Sequence, residues 1–131
     1  MDQHYGNGTD HIIKTLGLNW ITHVTAEKSY ETDQQALRES RKIYEGKYDH
    51  DLVIYQAGAD IHVDDPLGGL LTTRQMQTRD LDVFLGSLVH TIPLVWNLAG
   101  GYAKDKAGTI EPVLALHRQT VQACIRHLQK A

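Results

Sequence analysis

A single cysteine, Cys124, in 131 residues leaves no partner for an internal disulfide. It falls on the apolar side of an expected helix and reads as a small buried hydrophobe. No apolar run approaches the ~20 residues of a membrane-spanning helix. Lys and Arg are scattered and the formal net charge is -3, so no cationic stripe offers itself to nucleic acid. The opening residues are polar where a secretory leader would be apolar. Internal repeats, low-complexity segments and an interior domain boundary are also lacking. These absences exclude a disulfide scaffold, a membrane span and a nucleic-acid binder. They leave one domain with a real core, expected in the cytoplasm.

What is present alternates between helical and extended patterns. Val53, Ile54 and Tyr55 form an apolar β-forming run, which reads as a strand buried on both faces of a parallel sheet, with Gly58 turning the chain after it. Before it, Thr9 is placed to cap a short helix with Asp10 in its first turn, Ile12, Ile13 and Leu16 on the buried side and Gly17 as its stop. Residues 20–25 alternate like a strand, and residues 28–31 read as a polar loop. Thr32 with Gln35, and Thr72 with Gln75, are capping boxes. The first opens a helix along Ala36, Leu37, Ser40, Ile43 and Tyr44 that Gly46 ends, with residues 47–50 as a link. The second opens a helix to about Val89 along Met76, Val83, Phe84, Ser87 and Leu88. Residues 92–98 form the next strand, with Pro93 at its start. A loop over residues 104–108 precedes a last helix from about Thr109, with Pro112 in its first turn. Ile110, Val113, Leu114, Val121, Cys124, Ile125 and Leu128 form its stripe, and His117 there reads as a satisfied core histidine. The alternation predicts an α/β fold, a parallel sheet flanked by helices with right-handed crossovers.

Three stretches carry chemistry. Asp60 follows a strand at its carboxyl end, where open α/β sheets place ligands. A cation would compensate its charge, and capping a loop would use it equally well. Asp2 and His4 are two apart and point the same way in an extended segment, as metal ligands do; a solvated chain start presents the same pattern. Gly100 and Gly101 leave the last strand and allow close backbone approach to a ligand, with the Tyr102 phenol beside it. A plain glycine turn with a surface tyrosine has the same sequence. Gathered at one sheet edge, two carboxylates and an imidazole suit a catalytic zinc with an open position. A tyrosine beside them donates to a carbonyl oxygen as it becomes an oxyanion, which suits amide hydrolysis.

Asp2-Gln3-His4-Tyr5-Gly6-Asn7-Gly8-Thr9, Gly58-Ala59-Asp60 with Asp65-Pro66-Leu67-Gly68, and Pro93-Leu94-Val95-Trp96-Asn97-Leu98-Ala99-Gly100-Gly101-Tyr102 resemble the histone deacetylase family. That family includes bacterial acetylpolyamine amidohydrolases and acetoin-utilisation proteins. The resemblance spans nearly the whole chain, with three motifs in the family's order. It implies part of an arginase–deacetylase fold, zinc, and hydrolysis of acetyl-lysine or acetylpolyamine amides. By the resemblance Asp2, His4 and Asp60 match the zinc ligands, and Tyr102 the tyrosine that polarises the substrate carbonyl. Gly100 and Gly101 match glycines lining the acyl-lysine channel, and Leu67 a residue of its wall. Asn7 matches a position that partners a catalytic histidine.

The departures are as informative. The family domain is considerably longer, and residues 1–131 resemble its carboxyl-terminal part. Its Gly-Gly-x-His-His segment, whose histidines act as general base and acid, lies ahead of the first zinc motif, and no His-His pair occurs here. An acidic residue two positions before Asp2, which helps bind a structural potassium ion, has no counterpart, and only Met1 precedes Asp2 as support. Loss of a positioned base costs about 100- to 10,000-fold in rate. The expectation is a zinc-dependent deacetylase-like chain with little or no activity alone, which self-associates or is completed by an amino-terminal half. The alternative is a non-catalytic binding or oligomerising remnant of the same fold. An arginase-like ureohydrolase with two manganese ions, which would draw on Asp64 and Asp65, ranks behind both.

Overall fold

The computed structural model describes residues 1–45 and 50–128. The expected helix stop at Gly46, most of the link that follows it and the burial of Leu128 fall outside what is described. The elements run α1 (Asn7–Leu16), α2 (Asp33–Lys42), β1 (Val53–Gly58), α3 (Thr73–His90), β2 (Leu94–Ala99) and α4 (Glu111–Leu128). β1 and β2 pair in parallel, with Val53 opposite Leu94 and Gly58 opposite Ala99. Parallel strands require a crossover, and α3 supplies it. The class is therefore α/β, as the alternation indicates. No helix among the described residues is long and apolar enough to cross a membrane.

Both capping boxes form. The Thr32 and Thr72 side chains accept from the backbone N–H groups of Gln35 and Gln75, whose side chains return to the cap residues. Gln75 Nε2 also donates to Asp33 Oδ2 at 2.8 Å, which ties the start of α3 to the start of α2. Further along, Asp82 accepts from Ser40 at 3.3 Å and Arg41 at 3.1 Å. α3 thus lies between α2 and α4, and its inner side meets the sheet. There Phe84 sets its ring edge-on to Tyr55 and Trp96, with centroids 6.0 and 5.3 Å away.

Several expectations are corrected. The sheet is covered on one face only: Val53, Tyr55 and Ala57 are buried, whereas Ile54 is 74% and Val95 58% exposed. Those two are register partners on the bare face. Residues 20–25 form no strand, since alternation alone does not supply a paired edge; beside them is an isolated bridge between Ala26 and Tyr30. Tyr30, in the stretch read as a polar loop, is buried. α1 starts at Asn7 after Gly6, without a side-chain cap from Thr9, and buries none of its residues; Ile12 and Leu16 are exposed. Gly58 ends β1 without left-handed backbone, and the chain turns at residues 59–62 through the His62 N–H to Ala59 carbonyl bond. β2 begins two residues later than expected, at Leu94, directly after Pro93, which has no N–H to give the ladder. Of the expected α4 stripe Val113 is buried, but Leu116 and Thr120 are buried with it in place of Ile110, Leu114 and Ile125, which are exposed. Cys124 is only partly buried.

Three buried tyrosines make the fold sensitive to alkali. Burial raises Tyr30 and Tyr44 from the ordinary 10.0 to about 12, and burial with Asp80 alongside holds Tyr55 well above 10.0. The folded state favours their neutral form. Their contribution to stability is therefore complete below pH 10 and is lost as pH rises through 12. Circular dichroism against pH should show cooperative unfolding across that window, coincident with tyrosinate absorbance at 295 nm. Tyrosinate absorbance that saturates near pH 10 in a still-folded chain would contradict this.

Candidate metal centre

The ends of three backbone segments meet beyond β1. The first is the chain start. Met1 lies along β1, its carbonyl accepting from Gly58 N–H at 3.2 Å and its amino group donating to the Gln56 carbonyl. Tyr30 fixes the next residue: its hydroxyl accepts from Asp2 N–H at 3.2 Å and donates to the Asp2 carbonyl at 2.5 Å. Asp2 is therefore held on two sides, by Tyr30 and through Met1. The second segment is the turn after β1, which carries Asp60. The third is the β2–α4 loop, which brings Gly100 against the Asp60 carboxylate.

Asp2, His4 and Asp60 converge, each with a ligand atom within 4.8 Å of the others. His4 Nδ1 lies 2.8 Å from Asp60 Oδ2 and 3.5 Å from Asp2 Oδ1. Asp60 is 1% exposed, and its Oδ1 accepts weakly from Gln3 N–H at 3.4 Å. Asp2 Oδ2 accepts from Gln56 Nε2 at 3.0 Å, and its Oδ1 accepts from His4 N–H at the same distance. Burial, and then the hydrogen bond and charge of Asp2, push the Asp60 carboxyl up to about 6. Burial pushes Asp2 up as well, but hydrogen bonds from Asp60, His4 N–H and Gln56 outweigh it and hold Asp2 below its ordinary value. For His4 burial works downward, yet the Asp60 hydrogen bond and charge leave the imidazole above its ordinary value.

Missing side chains shape the space. A Cβ on Gly58 would stand 2.5 Å from Asp60 Oδ1 and 2.9 Å from Asp2 Cα, and one on Gly100 would stand 2.5 Å from Asp60 Cγ. Gly100 and Gly101 both hold positive φ, 54° and 110°. A Cβ on Gly101 would strike Val113 of α4 at 2.6 Å. Two carboxylates and one imidazole nitrogen, with Asp60 buried, Asp2 partly buried and His4 exposed, suit a single divalent ion in the type of their donors.

Tyr102 is half-exposed, and its N–H donates to Asp65 Oδ2 at 2.7 Å. Asp65 Oδ1 accepts from Leu67 N–H at 3.0 Å, so one buried carboxylate ties the Leu67 loop to the Tyr102 loop. Leu67 is exposed. Asn7 opens α1 on the surface, apart from the carboxylate cluster. His117 is half-buried and hydrogen-bonds the Gly100 backbone, with burial holding its imidazole below the ordinary value. The sequence reading missed Tyr30, Gln56 and the positioning role of Asp65. Only Asp65 carried a signal, as an acidic residue inside a Pro-Gly loop.

Comparison with known proteins bears on the chain as a whole, since the family match includes Asp60 but begins after Asp2 and His4. Residues 14–115 match the family model described as the Histone deacetylase domain. Histone deacetylase 2 of Arabidopsis thaliana is 39% identical over 75 residues, which is 56% of this chain and 19% of that protein. The two parallel strands with their flanking helices are consistent with part of an arginase–deacetylase fold.

The glycine at position 100 provides a test of the geometry. Gly100→Ala should destabilise the chain by about 1–3 kcal/mol in urea unfolding, from the clash with Asp60 added to backbone strain. Gly108 also has positive φ but open space around its Cβ position. Gly108→Ala should therefore cost clearly less, of the order of 1 kcal/mol. Equal losses at the two positions would show that the close approach to Asp60 is not what matters.

Proposed function

Because the chain belongs to the histone deacetylase family, we propose that Asp2, His4 and Asp60 hold one zinc ion in a deacetylase site. The substrate class is an acetylated lysine or polyamine amide. The observation that carries this is the convergence of the three donor groups within 4.8 Å. Bound zinc would supply a Lewis acid and a water of lowered pKa. Tyr102, beside Gly100 and Gly101, donates its hydroxyl hydrogen to the substrate oxygen as negative charge develops there. Asp65 holds the Tyr102 backbone in place for that donation. Gly100 and Gly101 keep the backbone low enough for an acyl chain to pass, with Leu67 as its apolar wall.

A single ion is favoured over an arginase-like pair. Asp64 has a side chain 82% exposed, and Asp65 spends both carboxylate oxygens on backbone N–H groups. Among the described residues, Asp2, His4 and Asp60 form the one group suited to a metal. Activity of the isolated chain is proposed to be low, since the sequence has no adjacent histidine pair to act as base and acid. The bare sheet face bearing Ile54 and Val95 is the surface on which a second copy or an amino-terminal half would pack.

Elemental analysis of the purified chain should find one equivalent of zinc, lost in Asp60→Asn. In the metal-free state Asp60→Asn should melt at the wild-type temperature or above, because it removes a buried charge from beside Asp2. With a fluorogenic acetyl-lysine substrate the zinc-loaded chain should turn over slowly, and Tyr102→Phe should lower that rate by about 100-fold or more. Absence of zinc in the wild type, or its retention in Asp60→Asn, would overturn the reading of the site.

A further inference from the structure

Beneath the cluster lies a charged pair that metal binding itself does not call for. Arg79 and Asp80 stand in the middle of α3 with 0% and 2% of their surface exposed. They occupy the inner side of the helix between Met76 and Val83, where apolar side chains would ordinarily pack. Arg79 Nη1 donates to two carbonyls, Gly58 at 2.8 Å and Met1 at 3.1 Å. Met1 immediately precedes Asp2, and Gly58 ends β1 two residues before Asp60. One nitrogen therefore bridges the two backbone segments that deliver the acidic groups. The guanidinium is fixed in turn. Its Nε and Nη2 lie 3.0 and 2.8 Å from Asp80 Oδ1. Asp80 also accepts from the Tyr55 hydroxyl of β1 at 2.5 Å and from the Thr120 hydroxyl of α4 at 2.6 Å.

We propose that Arg79 is a positioning residue for the metal centre, setting the separation of the Asp2 and Asp60 carboxylates through the Met1 and Gly58 carbonyls. This rests on the zinc reading above. A lysine keeps the charge but presents one nitrogen, so it cannot hold both carbonyls and the Asp80 fork in the same geometry. Outer-shell partners of metal ligands typically change affinity by about 10- to 100-fold when replaced.

The test measures zinc affinity by competition with a chromophoric chelator, and the visible spectrum of the chain loaded with Co2+. Arg79→Lys should keep the helical circular dichroism of the wild type, weaken zinc by about 10- to 100-fold and shift the Co2+ d–d bands. Thr120→Val, which keeps Arg79 but frees one oxygen of Asp80, should move both readouts less and in the same direction. Wild-type affinity and an unchanged Co2+ spectrum in Arg79→Lys, with metal still lost in Asp60→Asn, would overturn the positioning role and leave the metal site standing. A wild-type chain that binds neither ion would overturn the site and this role with it. If Arg79→Lys does not fold, Thr120→Val decides: a shifted spectrum supports the role and an unchanged one overturns it.

Discussion

A guanidinium with no exposed surface, paired with a carboxylate, joins the parts of this fold. Burying two charges removes several kcal/mol of hydration from each, and their attraction repays this only when further hydrogen bonds complete the geometry. Most of those bonds exist here; Arg79 Nη2 alone has no hydrogen bond and is met only by the charge of Asp80. Arg79 reaches two backbone carbonyls, and Asp80 takes hydroxyls from β1 and α4. The same network answers a backbone requirement: the Gly58 carbonyl at the end of β1 gains its partner from Arg79, and the Met1 carbonyl, which already accepts from Gly58 N–H, gains a second. Chain start, strand and two helices are thereby fixed to one point. Without either charged partner, the other would stay buried and uncompensated, a penalty of about 3–5 kcal/mol.

A second constraint is room. Where Arg79 holds the two acidic segments from below, Gly58 and Gly100 let them meet, since neither position has space for a Cβ. Gly101 continues the approach on the α4 side, its Cα set against Val113. Asp65 then ties two loops together by accepting from Leu67 and Tyr102 N–H groups. Shape in this centre comes from positions that lack side chains, and stiffness from buried polar groups a turn or a strand away.

What could be read in advance follows the range of the forces involved. Thr32 with Gln35 and Thr72 with Gln75 are local interactions, complete within one helical turn, and both form as read. β1 was legible as a strand from Val53 to Tyr55, but which faces are covered depends on neighbours, and Ile54 is bare. Residues 20–25 alternate correctly and still form no strand, because a strand needs an edge to pair with. Asp2, His4 and Asp60 were legible as a group through their spacing and motif resemblance, and the structure brings them together. Arg79 and Asp80 did leave a trace: they interrupt the Met76, Val83, Phe84 stripe with charge, a break that a helix tolerates on its inner side only when both charges are satisfied. Tyr30 left none, since a buried tyrosine in a polar stretch is fixed by a contact 28 residues away in the chain.

The bare sheet face and the cluster of Asp2, His4 and Asp60 depend on different contacts. Asp2 is held by Tyr30 and, through Met1, by Arg79; Asp60 is approached by Gly100 and reached through Gly58. Most of these groups lie at the carboxyl end of β1 or in the helical layer that covers its buried face. The exception is Gln56, which projects from the exposed face and still reaches Asp2 Oδ2. Ile54 and Val95 contribute nothing to the three donors, so covering them would act mainly on stability, in proportion to the apolar area removed from water. Gln56 is a route by which a partner on that face would also alter the donors. Drawing its amide away would leave Asp2 with fewer hydrogen bonds to its ionised form, and the imbalance between the two carboxylates would shrink from the Asp2 side.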